Sequence, residues 1–86
     1  MEKFTGKLIR ISVINMYPAL VKFTLESPDL MLNCLTLNPN IIENILMIGE
    51  NKYIATVSGN FNSRNQLIVT QFQTFNPDDT IKELGI

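Results

Sequence analysis

The 86-residue chain has no histidine, no tryptophan and one cysteine, Cys34. Without histidine there is no imidazole acid–base catalysis, no imidazole metal ligand and none of the usual hydrolase triads. A lone cysteine gives neither an intrachain disulfide nor a cysteine-rich zinc site. No uninterrupted apolar run approaches the ~18 residues of a membrane span. The opening Met1-Glu2-Lys3-Phe4-Thr5-Gly6 has no basic region followed by an apolar stretch, so no secretory leader is expected. Charge is sparse as well, at 17% of residues with a net of −1 and an isoelectric point near 5.2. What the chain does have is apolar material. It is 45% hydrophobic with a mean hydropathy of +0.13, which excludes intrinsic disorder. The expectation is one small cytoplasmic domain, with no metal, no cofactor and no membrane partner. Catalysis needs a general base in a tuned environment. Glu26 and Asp29 lie close together but in a turn with no partner, so the chain reads as a binding or assembly module and not as an enzyme.

The charges are unevenly placed. Glu2, Asp78, Asp79 and Glu83 lie at the two ends, while residues 3 to 77 hold six Lys and Arg against four Asp and Glu. The body is therefore +2, which permits a modest basic patch without demonstrating one.

Residues 4 to 15 read as a long strand. Ile9, Ile11 and Val13 alternate with Arg10 and Ser12, while Phe4 and Leu8 sit in the opposite phase, so a bulge is expected near Leu8–Ile9. Gly6 suits a coiled strand where another backbone passes close. After a turn at Asn15-Met16-Tyr17-Pro18, residues 19 to 27 form a second strand. Val21, Phe23 and Leu25 face one way, and Lys22, Thr24 and Glu26 the other. Ser27-Pro28-Asp29 is a turn, and residues 30 to 37 form a third, mostly apolar strand. The spacing of Ile41, Ile42, Ile45, Leu46 and Ile48 then predicts a helix over about 39–48, with Gly49 as its stop. Either Asn38, with Pro39 in the first helical position, or Asn40, with Glu43 at capping-box spacing, could cap it. Residues 51 to 61 and 66 to 75 read as strands around a turn at Asn62-Ser63-Arg64-Asn65. The expected core is Ile9, Ile11, Val13, Val21, Phe23, Leu25, Leu35, Ile45, Val57 and Phe72, with Cys34 as a small buried hydrophobe.

Three meandering strands, a short helix and a closing hairpin match an all-β OB-fold, a five-stranded Greek-key barrel with the helix between strands three and four. The barrel should occupy residues 1–76, followed by a polar acidic tail over 77–86.

Met1-Glu2-Lys3-Phe4-Thr5-Gly6-Lys7-Leu8 resembles the opening of bacterial and phage single-stranded-DNA-binding proteins. Val21-Lys22-Phe23-Thr24-Leu25 is similar to their second strand. Val57-Ser58-Gly59-Asn60-Phe61 with Leu67-Ile68-Val69 is similar to their fourth and fifth. The likeness spans about residues 4 to 75. It departs from that family in having no Trp and in ending Lys82-Glu83-Leu84-Gly85-Ile86, so it resembles a short form without the family's acidic C-terminal tip. The resemblance implies sequence-independent binding of single-stranded DNA or RNA, in replication, recombination or mobile-element DNA metabolism. One short groove, and an apolar supply that leaves Met16, Leu20, Leu30 and Leu32 off the inward phase, lead separately to the expectation of a homodimer or homotetramer. Strand binding uses a cationic groove and aromatic faces for base stacking. In an OB barrel these lie on strands two and three and the loops flanking them. Arg10, Tyr17, Lys22, Thr24, Phe61 and Arg64 are the residues expected there. Tyr17 could instead pack within its turn, Phe61 could belong to the core, and the cations could be ordinary solvated charges. The alternative function is a protein-interaction or assembly barrel that binds no nucleic acid, which the near-neutral charge favours.

Overall fold

The computed structural model describes residues 1–48 and 53–75. The elements are β1 (Glu2–Met16), β2 (Ala19–Ser27), β3 (Leu30–Thr36), α1 (Pro39–Ile48), β4 (Ile54–Phe61) and β5 (Leu67–Phe75). The strands close into a barrel in the order β1-β2-β3-β5-β4. Every pairing is antiparallel except β3 with β5, which is parallel through Cys34↔Leu67 and Leu35↔Ile68. That order, with the helix between β3 and β4, is the expected OB-fold arrangement. The expected stop at Gly49, the start of the fourth strand at 51 and the tail beyond residue 76 lie outside the described residues.

β1 closes the barrel because it is long enough to pair on both sides. Its first half runs against β4 from Glu2↔Gly59 to Lys7↔Ile54, and from Lys7↔Glu26 onward it runs against β2. At the crossover the backbones crowd. A Cβ on Gly6 would stand 2.8 Å from the Glu26 carbonyl oxygen, which is why a glycine is needed there.

The phase change in β1 falls slightly later than expected. Leu8 faces Leu25 and Ile9 faces Thr24, then two residues, Arg10 and Ile11, stand against one before Ser12 meets Lys22. Arg10 takes the left-handed backbone with φ 54°, as the first residue of a bulge can. Leu8 therefore points inward, whereas Ile9 shares the outer side with Thr24. Ile9 is buried at 8% exposure but is not part of the core cluster. Ile11 turns back inward and packs against the core. Val13 was expected in the core and is exposed. By that point β1 has left its pairing with β4, so the inner side of the β1–β2 hairpin projects past the closed barrel.

In β3 the even-numbered residues from Leu32 onward are inside. Leu32, Cys34 and Thr36 are buried. Leu35, expected in the core, instead pairs with Lys22 and Ile68 on the outer side and is half-buried. Val21, Phe23, Leu25, Ile45 and Val57 are core as expected, joined by Ala55, Leu67 and Val69. Phe72 is partly buried and meets Phe23 edge-on at 5.9 Å.

Asn38 resolves the choice of cap. Its Oδ1 accepts from the backbone N–H groups of Asn40 and Ile41 at 2.9 and 3.4 Å, which satisfies donors the first helical turn leaves open. Pro39 then takes the first helical position. Ile41, Ile42 and Ile45 insert into the core as a plug, while Leu46 and Met47 remain exposed. The buried Thr36 hydroxyl ties the plug to the barrel. It donates to the Val69 carbonyl at 3.3 Å and accepts from the Asn38 N–H at 3.2 Å. No helix among the described residues is long and apolar enough to cross a membrane.

Candidate nucleic-acid interface

The register fixes which side chains share the outer side of β1, β2 and β3. Cross-strand partners point to the same side of a sheet. Starting from the inward Phe23 and Leu25, the outer set is Lys7, Ile9 and Ser12 from β1, Lys22, Thr24 and Glu26 from β2, and Met31, Asn33 and Leu35 from β3.

Tyr17 stands at the tip of the β1–β2 loop, 90% exposed. The loop is held by Asn15 Nδ2 donating to the Pro18 carbonyl at 3.0 Å and has a cis Tyr17–Pro18 bond. The alternative in which Tyr17 packs within its own turn is therefore not realised. Arg64 stands at the tip of the β4–β5 loop and is exposed. Asn62 builds that loop. Its Oδ1 accepts from the N–H groups of Arg64 and Gln66, both at 2.9 Å, and its Nδ2 donates to Gln66 Oε1 at 2.9 Å. Asn65 supplies the left-handed turn residue with φ 58°. Tyr17 and Arg64 thus sit on built loops, and each loop adjoins an edge of the β2–β3 face.

The other expected residues divide. Arg10 is exposed on the β1 bulge, and Lys22 is half-buried between Ser12 and Leu35. Thr24 is on the outer side as expected, yet only 3% exposed. Its hydroxyl meets Asn33 Oδ1 at 3.5 Å, so Asn33, which is exposed, presents the polar group of that rung. Phe61 is 41% exposed and is not part of the core cluster. Its ring meets Phe4 edge-on at 5.8 Å, which sets it against the start of β1 and off the β2–β3 face.

Met31, Asn33 and Leu35 were not anticipated on this face. The cue was the parity of β3, where Thr36 as an inward residue places every odd position outside. The apolar run Leu30-Met31-Leu32 obscures it. Beside Leu35 the outer surface becomes wholly apolar, in a groove of about 240 Å³ lined by Leu20, Leu35, Thr36, Leu37 and Ile68. Cys34, the neighbour of Leu35 in β3, is fully buried in the core, and burial pushes its thiol up to about 12. A thiol held protonated is not a nucleophile. No protein-family model matches the chain, and a search of curated proteins finds no similar sequence.

Proposed function

We propose that the chain is a sequence-independent single-stranded nucleic-acid-binding module, like the bacterial and phage single-stranded-DNA-binding proteins it resembles, serving replication, recombination or mobile-element DNA metabolism. The observation that carries this reading is the presentation of Tyr17, an aromatic ring 90% exposed on a braced loop at the edge of the OB-fold face that engages oligonucleotides. Bases would stack on Tyr17, at ~1–3 kcal/mol each. Phosphates would meet Arg10, Lys22 and Arg64, and aliphatic Met31 and Leu35 would line the path between the loops.

The test is an anisotropy titration with fluorescent oligo-dT of about 20 nucleotides across a salt series. These three cations give a slope of log affinity against log salt of about −2. No binding at about 50 mM salt would remove this reading.

The apolar groove beside Leu35 favours self-association, as a homodimer or homotetramer that covers Leu20, Leu37 and Ile68 with a second copy. Joining two short sites raises the effective concentration of the second. If nucleic acid fails to bind while the chain still associates, the assembly reading stands in its place. Sedimentation that finds only the 9.8 kDa monomer at micromolar concentration would remove self-association.

A further inference from the structure

The opposite side of the barrel carries a second concavity, built from a different set of residues. On the outer side of β1, β4 and β5 the register aligns two rungs, Lys3–Ser58–Gln71 and Thr5–Thr56–Gln73. Adjacent strands lie ~4.8 Å apart and alternate residues ~6.8 Å apart. The six side chains therefore form a compact grid. Its middle column, Thr56 and Ser58, is short, while Lys3, Gln71 and Gln73 around it are long. Short residues between long ones leave a trough, and the structure has one there, about 500 Å³, lined by Lys3, Thr56, Ser58, Gln71, Phe72 and Gln73.

The floor is fixed. Thr5 and Thr56 share a hydroxyl–hydroxyl hydrogen bond of 2.9 Å. Thr70 is the extra residue of a bulge that shifts the register between Ser58 and Gly59, and its hydroxyl donates to the Ser58 carbonyl at 3.4 Å. Ser58 itself is only 8% exposed. Its main chain lies in the ladder between Lys3 and Gln71 and its carbonyl also accepts from Thr70, while its hydroxyl has no hydrogen-bond partner among the described residues. No buried side-chain oxygen is left wholly enclosed without a partner, so the Ser58 hydroxyl opens into the trough. A hydroxyl that reaches a cavity from a largely buried residue has a hydrogen bond to offer to whatever enters it.

The lining selects the occupant. Two hydroxyls and two primary amides both donate and accept, and among the described lining residues Lys3 is the only charge. One cation is too little for a polyphosphate backbone, and a strip this polar offers no apolar pocket for a peptide side chain. Neutral groups that donate and accept at once match vicinal hydroxyls. We infer that the β1–β4–β5 trough is a binding site for a short neutral glycan, with Ser58 and Thr56 on the sugar hydroxyls and Gln71 and Gln73 closing over its edge. This site is distinct from the β2–β3 face and does not depend on nucleic-acid binding.

The test is a titration of the full ¹⁵N-labelled chain with maltotriose, cellotriose and N-acetylchitotriose in turn, each to about 10 mM, the range of a weak unoptimised site. At least one saccharide should shift the side-chain amide signals of Gln71 and Gln73 and the backbone amides of Lys3, Thr56 and Ser58. Gln71→Ala, an exposed change that spares the fold, should weaken that binding at least about tenfold, equivalent to one good hydrogen bond lost. Ser58→Ala should do the same. Tyr17→Ala should leave it unchanged. No response at these residues to any of the three sugars would overturn the inference. So would saccharide shifts that persist undiminished in Gln71→Ala, or oligo-dT shifting the trough residues more than any sugar does.

Discussion

The two outer faces of the barrel share β1 and one core, but their side chains follow opposite rules. Around β2 and β3 the outer positions are mixed, with Ile9, Met31 and Leu35 set among Ser12, Lys22, Thr24, Glu26 and Asn33, and an apolar groove at Leu20, Leu35, Leu37 and Ile68 beside them. In the trough on β4 and β5 they are hydroxyls and amides, with Lys3 at the margin. The first face is extended by two loops that carry Tyr17 and Arg64, whereas the described residues that line the second all lie on strands. A mixed surface with an apolar groove and projecting loops suits a flexible polymer or another protein. A polar trough on rigid strands suits a small ligand held by directed hydrogen bonds. A barrel of this size can carry both because alternation lets the outer side vary freely while the inner side stays apolar.

The largest effect should come from the core that both faces share. Phe23→Ala removes a fully buried ring in edge contact with Phe72 and should cost ~3–5 kcal/mol. Calorimetry should find no cooperative melt near the parent temperature. A parent-like melt would mean that the faces do not rest on this core. Gly59→Ala should come next. Its Cβ would run into the Ile68 carbonyl, so the cost should reach or exceed the ~1–3 kcal/mol of ordinary overpacking. The survivors should lose the trough geometry first, visible as amide shifts at Ser58 and Gln71 ahead of Tyr17.

Tyr17→Ala separates the faces at no cost in stability. It should weaken oligo-dT binding by ~1–3 kcal/mol and leave both the melting temperature and the salt slope unchanged. Cys34 gives a smaller, pH-dependent effect. Its thiol ionises near 9.0 when free and near 12 when buried. Between these values the unfolded chain has lost the proton that the folded chain keeps. This contribution to stability is complete below about pH 9 and declines as pH rises through the window, by at most about 1.4 kcal/mol per pH unit. Chemical denaturation should find that component of the alkaline slope missing in Cys34→Ala. The smallest effect is Arg64→Ala, which should lower the salt slope by about 0.7 and weaken all sequences alike.

Strand order and the helix were legible because periodicity and turn residues mark them locally. Asn38 before Pro39 and the Asn-rich turn at 62–65 are signals of that kind. Side assignment was harder wherever a strand was apolar on both sides. In β3 nothing local says that Leu32 is inside and Leu35 outside, because the parity is set by pairing with Lys22 and Ile68. In β1 the bulge at Arg10 carries a residue that does not advertise a left-handed backbone, so the phase change was placed one step early. Thr24 alternates outward as a strand residue should, but its burial depends on Ile9 and Asn33 beside it. The polar trough was missed because its rungs come from three distant segments. The period-two pairs Lys3/Thr5, Thr56/Ser58 and Gln71/Gln73 become a signal only once β1, β4 and β5 are known to be neighbours.

Amide chemical-shift mapping of the ¹⁵N-labelled chain with oligo-dT tests the central claim most directly, because it reads both faces in one experiment. Saturable shifts are expected at Tyr17, Lys22, Asn33 and Arg64, with Lys3, Ser58 and Gln71 unmoved. Shifts confined to the trough residues, or none at all at low salt, would contradict that claim.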